Sequence, residues 1–238
     1  MKLSVVIPAY NAARHIEAVL GRVAPLVSSG LQQVIVVDDG SRDATARLVR
    51  EFRAESFRID LVERSKNGGY GAAMKDGLAL ARQSGPDVVA CIHADGQYAP
   101  EVLPDMIEQL SQRRLALLQG SRIAGGAALR GGMPIYKYVG NALLNLIENR
   151  TLGLSLTDYH SGYLVYGAAA LDLPFSSLSD SFDFDLEVIA TARAHGLAVG
   201  EAPIPTHYGD EVSHLNPLTY GLRVLRVMWN YERGRYAP

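Results

Sequence analysis

The chain has 238 residues, 48% of them hydrophobic, which suits one large α/β domain or two small ones and is too apolar for a disordered chain. Its formal net charge of −2 argues against a nucleic-acid binder, and its single cysteine, Cys91, excludes an internal disulfide framework and fits a reducing compartment. No run approaches the roughly 18 apolar residues of a membrane span, and the chain enters a strand without a signal-peptide core, so neither a span nor a secretory leader is expected.

Leu3–Ile7 is a β-branched run that reads as a strand, and Pro8-Ala9-Tyr10-Asn11 is its turn. Ile16, Val19, Leu20 and Val23 then recur at helical spacing. Val34–Val37 is a second strand ending in Asp38-Asp39-Gly40-Ser41, and Asp43 is the expected cap of a helix reaching Phe52. Phe57–Val62 alternates apolar and polar residues, as a third strand does. Gly68-Gly69-Tyr70-Gly71 leads into a helix near Ala72–Gln83. Val88–Ile92 is the fourth strand, with Cys91 as buried filler, followed by a helix from about Pro100 to Ser111 and a fifth strand over Ala116–Gly120. This order predicts a single Rossmann-like, mostly parallel α/β sheet with helices on both faces.

After Ser121 the rhythm changes. Arg122–Pro134 is Gly-rich and reads as a mobile loop. Ile135–Leu152 is helical, with Tyr136, Val139, Leu143 and Ile147 along one side. Gly162–Tyr166 is a strand candidate, Phe182–His195 is helical and begins with acids, and Ala198–Tyr208 holds one or two strands. His207–Asn216 is polar, and Pro217–Tyr231 is a last helix. Residues 1–216 are expected to form the main domain, and 217–238 an amphipathic helix and tail. That helix sets Leu218, Leu222, Leu225, Met228 and Trp229 among Arg223, Arg226, Arg233 and Arg235, so it suits the domain surface, a second subunit in a homo-oligomer, or an anionic membrane.

In an open parallel sheet, ligands sit beyond the carboxyl ends of the strands. His93, Asp95 and Gln97 follow the fourth strand at a spacing of two, which in an extended segment turns all three toward one cation. The same residues also suit a plain strand-end turn hinged at Asp95-Gly96. The adjacent carboxylates Asp38 and Asp39 repel unless they meet donors or a cation, though Asp-Gly-Ser is also ordinary turn chemistry. Gly68–Gly71 can bring backbone N–H groups to a phosphate, or can simply be a flexible connection. Met74 occupies the third glycine position of a dinucleotide fingerprint and no Walker A sequence occurs, which disfavours a dehydrogenase and a P-loop NTPase.

Pro8-Ala9-Tyr10-Asn11, VVDDGS at 36–41, NGGYGAA at 67–73 and HADGQY at 93–98 come in this order on successive α/β units. The set resembles the family 2 glycosyltransferases of GT-A fold, most of all the branch of dolichyl-phosphate and polyprenyl-phosphate sugar synthases, whose core reads Asp-Ala-Asp-x-Gln. The likeness is strong over about residues 3–123 and looser through DYHSGY at 158–163 and FDFDLE at 182–187. It implies a nucleotide-sugar pocket, for a UDP- or GDP-linked donor, at Pro8, Ala9, Tyr10, Asp38, Asp39 and Gly68. It implies a metal at His93, Asp95 and Gln97, a phosphate-binding Arg122, a further cation at Arg130 or Lys137, and a closing loop bearing His207 and Ser213. Two positions depart from the pattern: His93 stands where the branch has an aspartate, and Tyr70 where lysine is common.

The implied reaction is inverting transfer of a hexose-type sugar from a nucleotide diphosphate to a polyprenyl phosphate, on or near the cytoplasmic face of a membrane. A soluble glycan or other hydroxyl acceptor is the alternative, and a non-catalytic nucleotide-sugar binding module is the second. A sugar nucleotidyltransferase is disfavoured, since no basic Gly-rich N-terminal loop occurs. A divalent cation bridging the departing diphosphate stabilises its charge, and an imidazole ligand favours Mn²⁺ over Mg²⁺. With His93 outside the ligand set, Asp95 alone anchors the ion through the diphosphate. A lipid phosphate needs no base, whereas a hydroxyl does. Asp183, Asp185 and Glu187 are the candidates, with Asp185 best matching the family's acidic position, and all three also suit a helix N-terminus.

Overall fold

A computed structural model describes residues 1–126, 133–205 and 217–238, with Tyr136, Lys137, Pro217 and Leu218 described by backbone alone. Seven strands form one sheet: β1 (Leu3–Ala9), β2 (Leu31–Asp38), β3 (Arg58–Glu63), β4 (Val88–Cys91), β5 (Leu117–Ser121), β6 (Leu164–Gly167) and β7 (Val199–Pro203). Their spatial order is β3-β2-β1-β4-β6-β5-β7. All pairings are parallel except those of β6, which runs antiparallel to both β4 and β5. The parallel rhythm therefore ends where the sequence pattern changes, after Ser121. In the described residues the helices are α1 (Ile16–Val23), α2 (Thr45–Glu51), α3 (Tyr70–Gln83), α4 (Leu103–Gln112), α5 (Ile135–Leu152), α6 (Phe184–Ala194) and α7 (Pro217–Glu232).

Strands buried on both faces feed two cores, because successive side chains point to opposite sides. Val5 and Ile7 of β1 and Val34 and Val36 of β2 pack with Ile16, Val19, Leu20 and Val23 of α1 and Leu103, Met106 and Ile107 of α4. Val6, Ile35 and Val37 point the other way, onto Ala73, Met74 and Leu78 of α3, α6 and Val224, Val227 and Met228 of α7. Each fully buried Val, Leu or Ile contributes roughly 1.5–3 kcal/mol, so the alternating runs dictate the layers. Gly77 lets α3 approach, since a methyl there would overlap Val6 and press on Val37. Cys91 is fully buried, as filler should be.

The expected cap at Asp43 is not one. α2 begins at Thr45 with Ala44 in the capping position. Asp43 instead accepts from the Thr45 amide and hydroxyl and from the Ala13 amide, tying the β1 and β2 tips together. Asn11 adds to this stitch: its amide donates to Ser41 Oγ at 2.8 Å and its side-chain oxygen accepts from the Arg42 amide at 2.9 Å. The order of strands reverses at β1 and β4, which places a crevice at their carboxyl ends.

Candidate active site

On one side of this crevice stand the tips of β1 and β2. Tyr10 is about half exposed there (49%), above the buried Ala9 and half-buried Pro8. Asp38 and Asp39 are both 4% exposed. Asp38 accepts from the Ser41 amide at 3.0 Å, an ordinary turn contact. Asp39 does more: its two oxygens accept from the Gly68 and Gly69 amides, each at 2.8 Å, with Arg64 Nε at 3.4 Å. The expected repulsion between neighbouring carboxylates is thus relieved by backbone donors and an arginine. Gly69, at φ +100°, lies so close to Asp180 that a side chain would overlap its carbonyl. The glycines hold a fixed close approach rather than a flexible connection.

Across the crevice, the tip of β4 is a turn. β4 ends at Cys91, and Gly96 has φ +76°. Asp95 Oδ1 accepts from the Gln97 amide at 3.0 Å, which closes the turn. The spacing-of-two argument for a shared cation therefore fails, because the segment is not extended; the hinge reading at Asp95-Gly96 describes it. His93 is turned inward. Its Nε2 lies 3.5 Å from the Tyr70 hydroxyl, and its ring stands edge-on to Tyr70 and Tyr98. Gly162 makes room for it, since a methyl there would overlap ring atoms Cε1 and Nε2. Burial lowers the imidazole's pKa; the Asp95 charge opposes this and the Arg122 charge reinforces it, leaving the ring neutral. Asp95 is half-buried. Among the described residues no group of three His, Cys, Asp or Glu could hold a metal by itself.

Arg122, at the end of β5, is clamped by Asp158, which is fully buried. Its Nε and Nη2 donate to the carboxylate at 2.7 and 3.0 Å, and its amide at 3.1 Å. Burial alone would raise the Asp158 carboxyl, but the Arg122 charge and hydrogen bonds outweigh it and hold it below the usual range. The loop carrying Asp158 is mounted on α5. Asn145 donates to the Thr157 carbonyl, and Asn149 exchanges bonds with Leu156 and accepts from the Tyr159 hydroxyl. Beneath it, Glu148 Oε2 sits 3.5 Å from His160 Nε2, and His160 Nδ1 is 3.1 Å from the Tyr220 hydroxyl on α7. This is not an ion pair. Burial, then the Asp158 charge, pushes Glu148 up to about 9, and burial pushes His160 down to about 4.

The inner side of α5 is thus polar, and its outer side is apolar. Ile135, Val139, Leu143, Leu146 and Ile147 are 40–75% exposed, and no described side chain exposed on α5 is charged before Arg150. Three of the four residues expected along one side, Val139, Leu143 and Ile147, face solvent. On the neighbouring α7, Leu222, Leu225 and Trp229 are exposed too, with the Arg233 guanidinium 4.4 Å over the Trp229 ring. Arg223 pairs with Asp183 at 3.1 Å.

Asp185 is buried in the first turn of α6, 5% exposed. Its Oδ2 accepts from Tyr70 at 2.8 Å, and its Oδ1 has no partner. Burial raises its carboxyl to about 7, against the Tyr70 hydrogen bond. Arg130, His207 and Ser213 lie outside the described residues, as does the Lys137 side chain. Asp158, Glu148, His160 and Tyr220 carry the support of the site without having been singled out as individual residues. The one available signal was Glu148, the single acid of the helical stretch Ile135–Leu152.

Residues 4–173 match the family described as Glycosyl transferase family 2. The chain is 30% identical over 216 residues to the UDP-N-acetylglucosamine–dolichyl-phosphate N-acetylglucosaminyltransferase of Methanococcus voltae, covering 85% of this chain and 84% of that protein. It is 31% identical to the polyprenol monophosphomannose synthase of Mycolicibacterium smegmatis, covering 84% and 75%. Its fold superposes with a TM-score of 0.70 on glucosyl-3-phosphoglycerate synthase of Mycobacterium tuberculosis, at 20% identity over 97% of this chain and 80% of that one. The sheet and its helices are those of the GT-A glycosyltransferases.

Proposed function

The chain belongs to glycosyl transferase family 2, and on that premise we propose that it moves a hexose-type sugar from a nucleotide-diphosphate donor to a polyprenyl phosphate, inverting the anomeric carbon. The observation that carries the acceptor is the inverted α5, polar inward and apolar outward. A soluble acceptor gives such a face no task. An acceptor whose isoprenoid stays in a bilayer does, because the enzyme must rest on the lipid surface while the phosphate reaches the strand ends. Leu222, Leu225 and Trp229 extend the apolar surface, and exposed Arg150, Arg226, Arg233 and Arg235 suit anionic headgroups. The relatives named above are transferases to dolichyl phosphate and polyprenol monophosphate. No described helix is long and apolar enough to cross a membrane, so attachment would be peripheral.

The second support is the state of Asp185. A phosphate oxygen is already anionic and needs no base, whereas a hydroxyl needs one within hydrogen-bond reach. Asp185 is shut behind Tyr70, which occupies its Oδ2. Donor binding would fall to Pro8, Ala9 and Tyr10 at β1 and to the loop that Asp39 holds at Gly68, with Tyr10 offering an exposed aromatic face. Arg122, oriented by Asp158, is the cation set for a phosphate.

The residues present fit a divalent metal that arrives with the diphosphate better than a resident one. Asp95 brings one carboxylate with a single oxygen committed, and His93 and Gln97 flank it. Bound there, the metal would neutralise charge on the departing diphosphate as a Lewis acid. A neutral imidazole nearby favours Mn²⁺ over Mg²⁺. The test is a panel of UDP- and GDP-sugars with MnCl₂ or MgCl₂ and polyprenyl phosphate in anionic vesicles. A sugar-labelled lipid recovered from the organic phase is the expected product. Label passing to 3-phosphoglycerate or a glycan, with none on lipid, overturns the acceptor assignment.

A further inference from the structure

Tyr70 and His93, the two positions that depart from the resemblance, touch each other. Tyr70 opens α3, but its ring lies between His93, edge-on with centroids 5.2 Å apart, and Phe182, stacked at 6.2 Å. Its hydroxyl meets three groups: Asp185 Oδ2 at 2.8 Å, His93 Nε2 at 3.5 Å and Cys91 Sγ at 3.6 Å. A hydroxyl has one proton to give and lone pairs with which to accept. The shortest contact is to a buried carboxylate whose other oxygen has no partner, so the proton belongs to Asp185. The phenolic oxygen is then an acceptor toward whatever remains. The Cys91 thiol has an alternative partner in Met74 Sδ at 3.5 Å. The ring N–H at His93 Nε2 is the other donor available.

We infer that Tyr70 is a positioning residue that relays the preference of Asp185 to His93, holding the imidazole as its Nε2–H tautomer with Nδ1 bare. Each ring nitrogen's role is set by the hydrogen bond of the other. Asp185 is thereby read as the far end of a three-residue relay instead of a base, and Gly162 and Tyr98 fix the ring that ends it. A bare Nδ1 is the form of the ring that accepts a cation or a donor N–H. Its use for a cation rests on the proposed function, whereas the tautomer itself does not.

Long-range ¹H–¹⁵N correlation of ¹⁵N-histidine protein at pH 8.5, with His93 assigned from the His93→Gln spectrum, reads the tautomer directly. The wild type is expected to show protonated Nε2 and bare Nδ1. Tyr70→Phe and, separately, Asp185→Asn are expected to lose that pattern or average it. A wild-type Nδ1–H pattern overturns the inference, and so does an unchanged Nε2–H pattern in Tyr70→Phe. Binding of MnCl₂ in the presence of UDP, and of GDP, is the second readout. Loss of the hydrogen bond to a metal-binding imidazole's other nitrogen commonly weakens metal binding about 10- to 100-fold, and Tyr70→Phe should fall in that range with nucleotide alone bound as before. Absence of Mn²⁺ binding in the wild type would count against the donor site and leave the tautomer reading to stand or fall on its spectrum.

Discussion

Replacing Glu148 with glutamine should stabilise the protein, and increasingly so as pH rises. Glu148 has no exposed surface, and neither carboxyl oxygen has a hydrogen-bond partner. The unfolded chain gives up this proton near a pKa of about 4.3, whereas the folded protein keeps it to about 9. Between those values the folded state binds more protons, so the contribution to stability is fully present below the unfolded value and is lost as pH climbs toward the folded one. At about 1.4 kcal/mol per pH unit, the cost at neutral pH is on the order of 4 kcal/mol. Glutamine keeps the shape and removes the titration. The difference in stability, variant minus wild type, should be about 1 kcal/mol at pH 5 and reach roughly 4 kcal/mol near pH 7.5. At this chain length that corresponds to a Tm gain of about 8–16 °C. Urea denaturation of both proteins from pH 5 to 8, followed by far-UV circular dichroism, measures it. His160 titrates oppositely, since burial lowers its pKa, but it is present in both proteins and cancels in the difference. Parallel curves for the two proteins would refute the argument that Glu148 is held as a neutral acid.

Four further substitutions separate support from chemistry. Asp39→Ala removes an acceptor from the Gly68 and Gly69 amides and should cost about 2–4 kcal/mol, with faster hydrogen exchange at residues 67–71 read by mass spectrometry. Arg122→Ala strands the fully buried Asp158 and should cost about 3–5 kcal/mol in urea denaturation; adding Asp158→Asn should recover at least half of that. Asp95→Asn keeps an oxygen for the Gln97 amide and should stay within about 0.5 kcal/mol of wild type, yet weaken Mn²⁺-dependent nucleotide binding more than tenfold by calorimetry.

β1, β2 and β4 were legible because each is a β-branched run buried on both faces, and such runs need no partner information to be recognised. Leu3–Ala9 and Leu31–Asp38 extend beyond their expected ends because the register Pro8↔Val37 and Ala9↔Asp38 continues the pairing into the turns. What periodicity cannot supply is the direction a helix faces. α5 spans Ile135–Leu152, as its spacing predicted, but an apolar stripe reads alike whether it meets a core or a bilayer. Only the partners of Asn145, Glu148 and Asn149, in the following loop at 156–160, decide that the polar side is inside.

The site shows the same division more sharply. Asp95 and Gln97 were found by position at a strand end, but their geometry was misjudged because a period of two holds only while the chain is extended. The Asp95 side chain captures the Gln97 amide and Gly96 takes positive φ, so the turn that makes the position useful also destroys the alternation used to find it. Asp185 was found as an acid and named as the base that a hydroxyl acceptor would need. What residue type does not announce is that Tyr70, 115 residues away, donates to its Oδ2. In each case residue type announced where chemistry is concentrated, while the arrangement depended on one contact, local for Asp95 and long-range for Asp185. For Asp185 that contact is testable in a way that also bears on the acceptor. If Asp185→Asn, assayed at saturating MnCl₂ so that a weakened hold on His93 does not limit the rate, leaves sugar transfer to polyprenyl phosphate within about threefold of wild type, the acid is no base, since removing a general base commonly costs about 10²- to 10⁴-fold. A loss of that size with donor binding intact would restore Asp185 as the proton acceptor and point to a hydroxyl nucleophile.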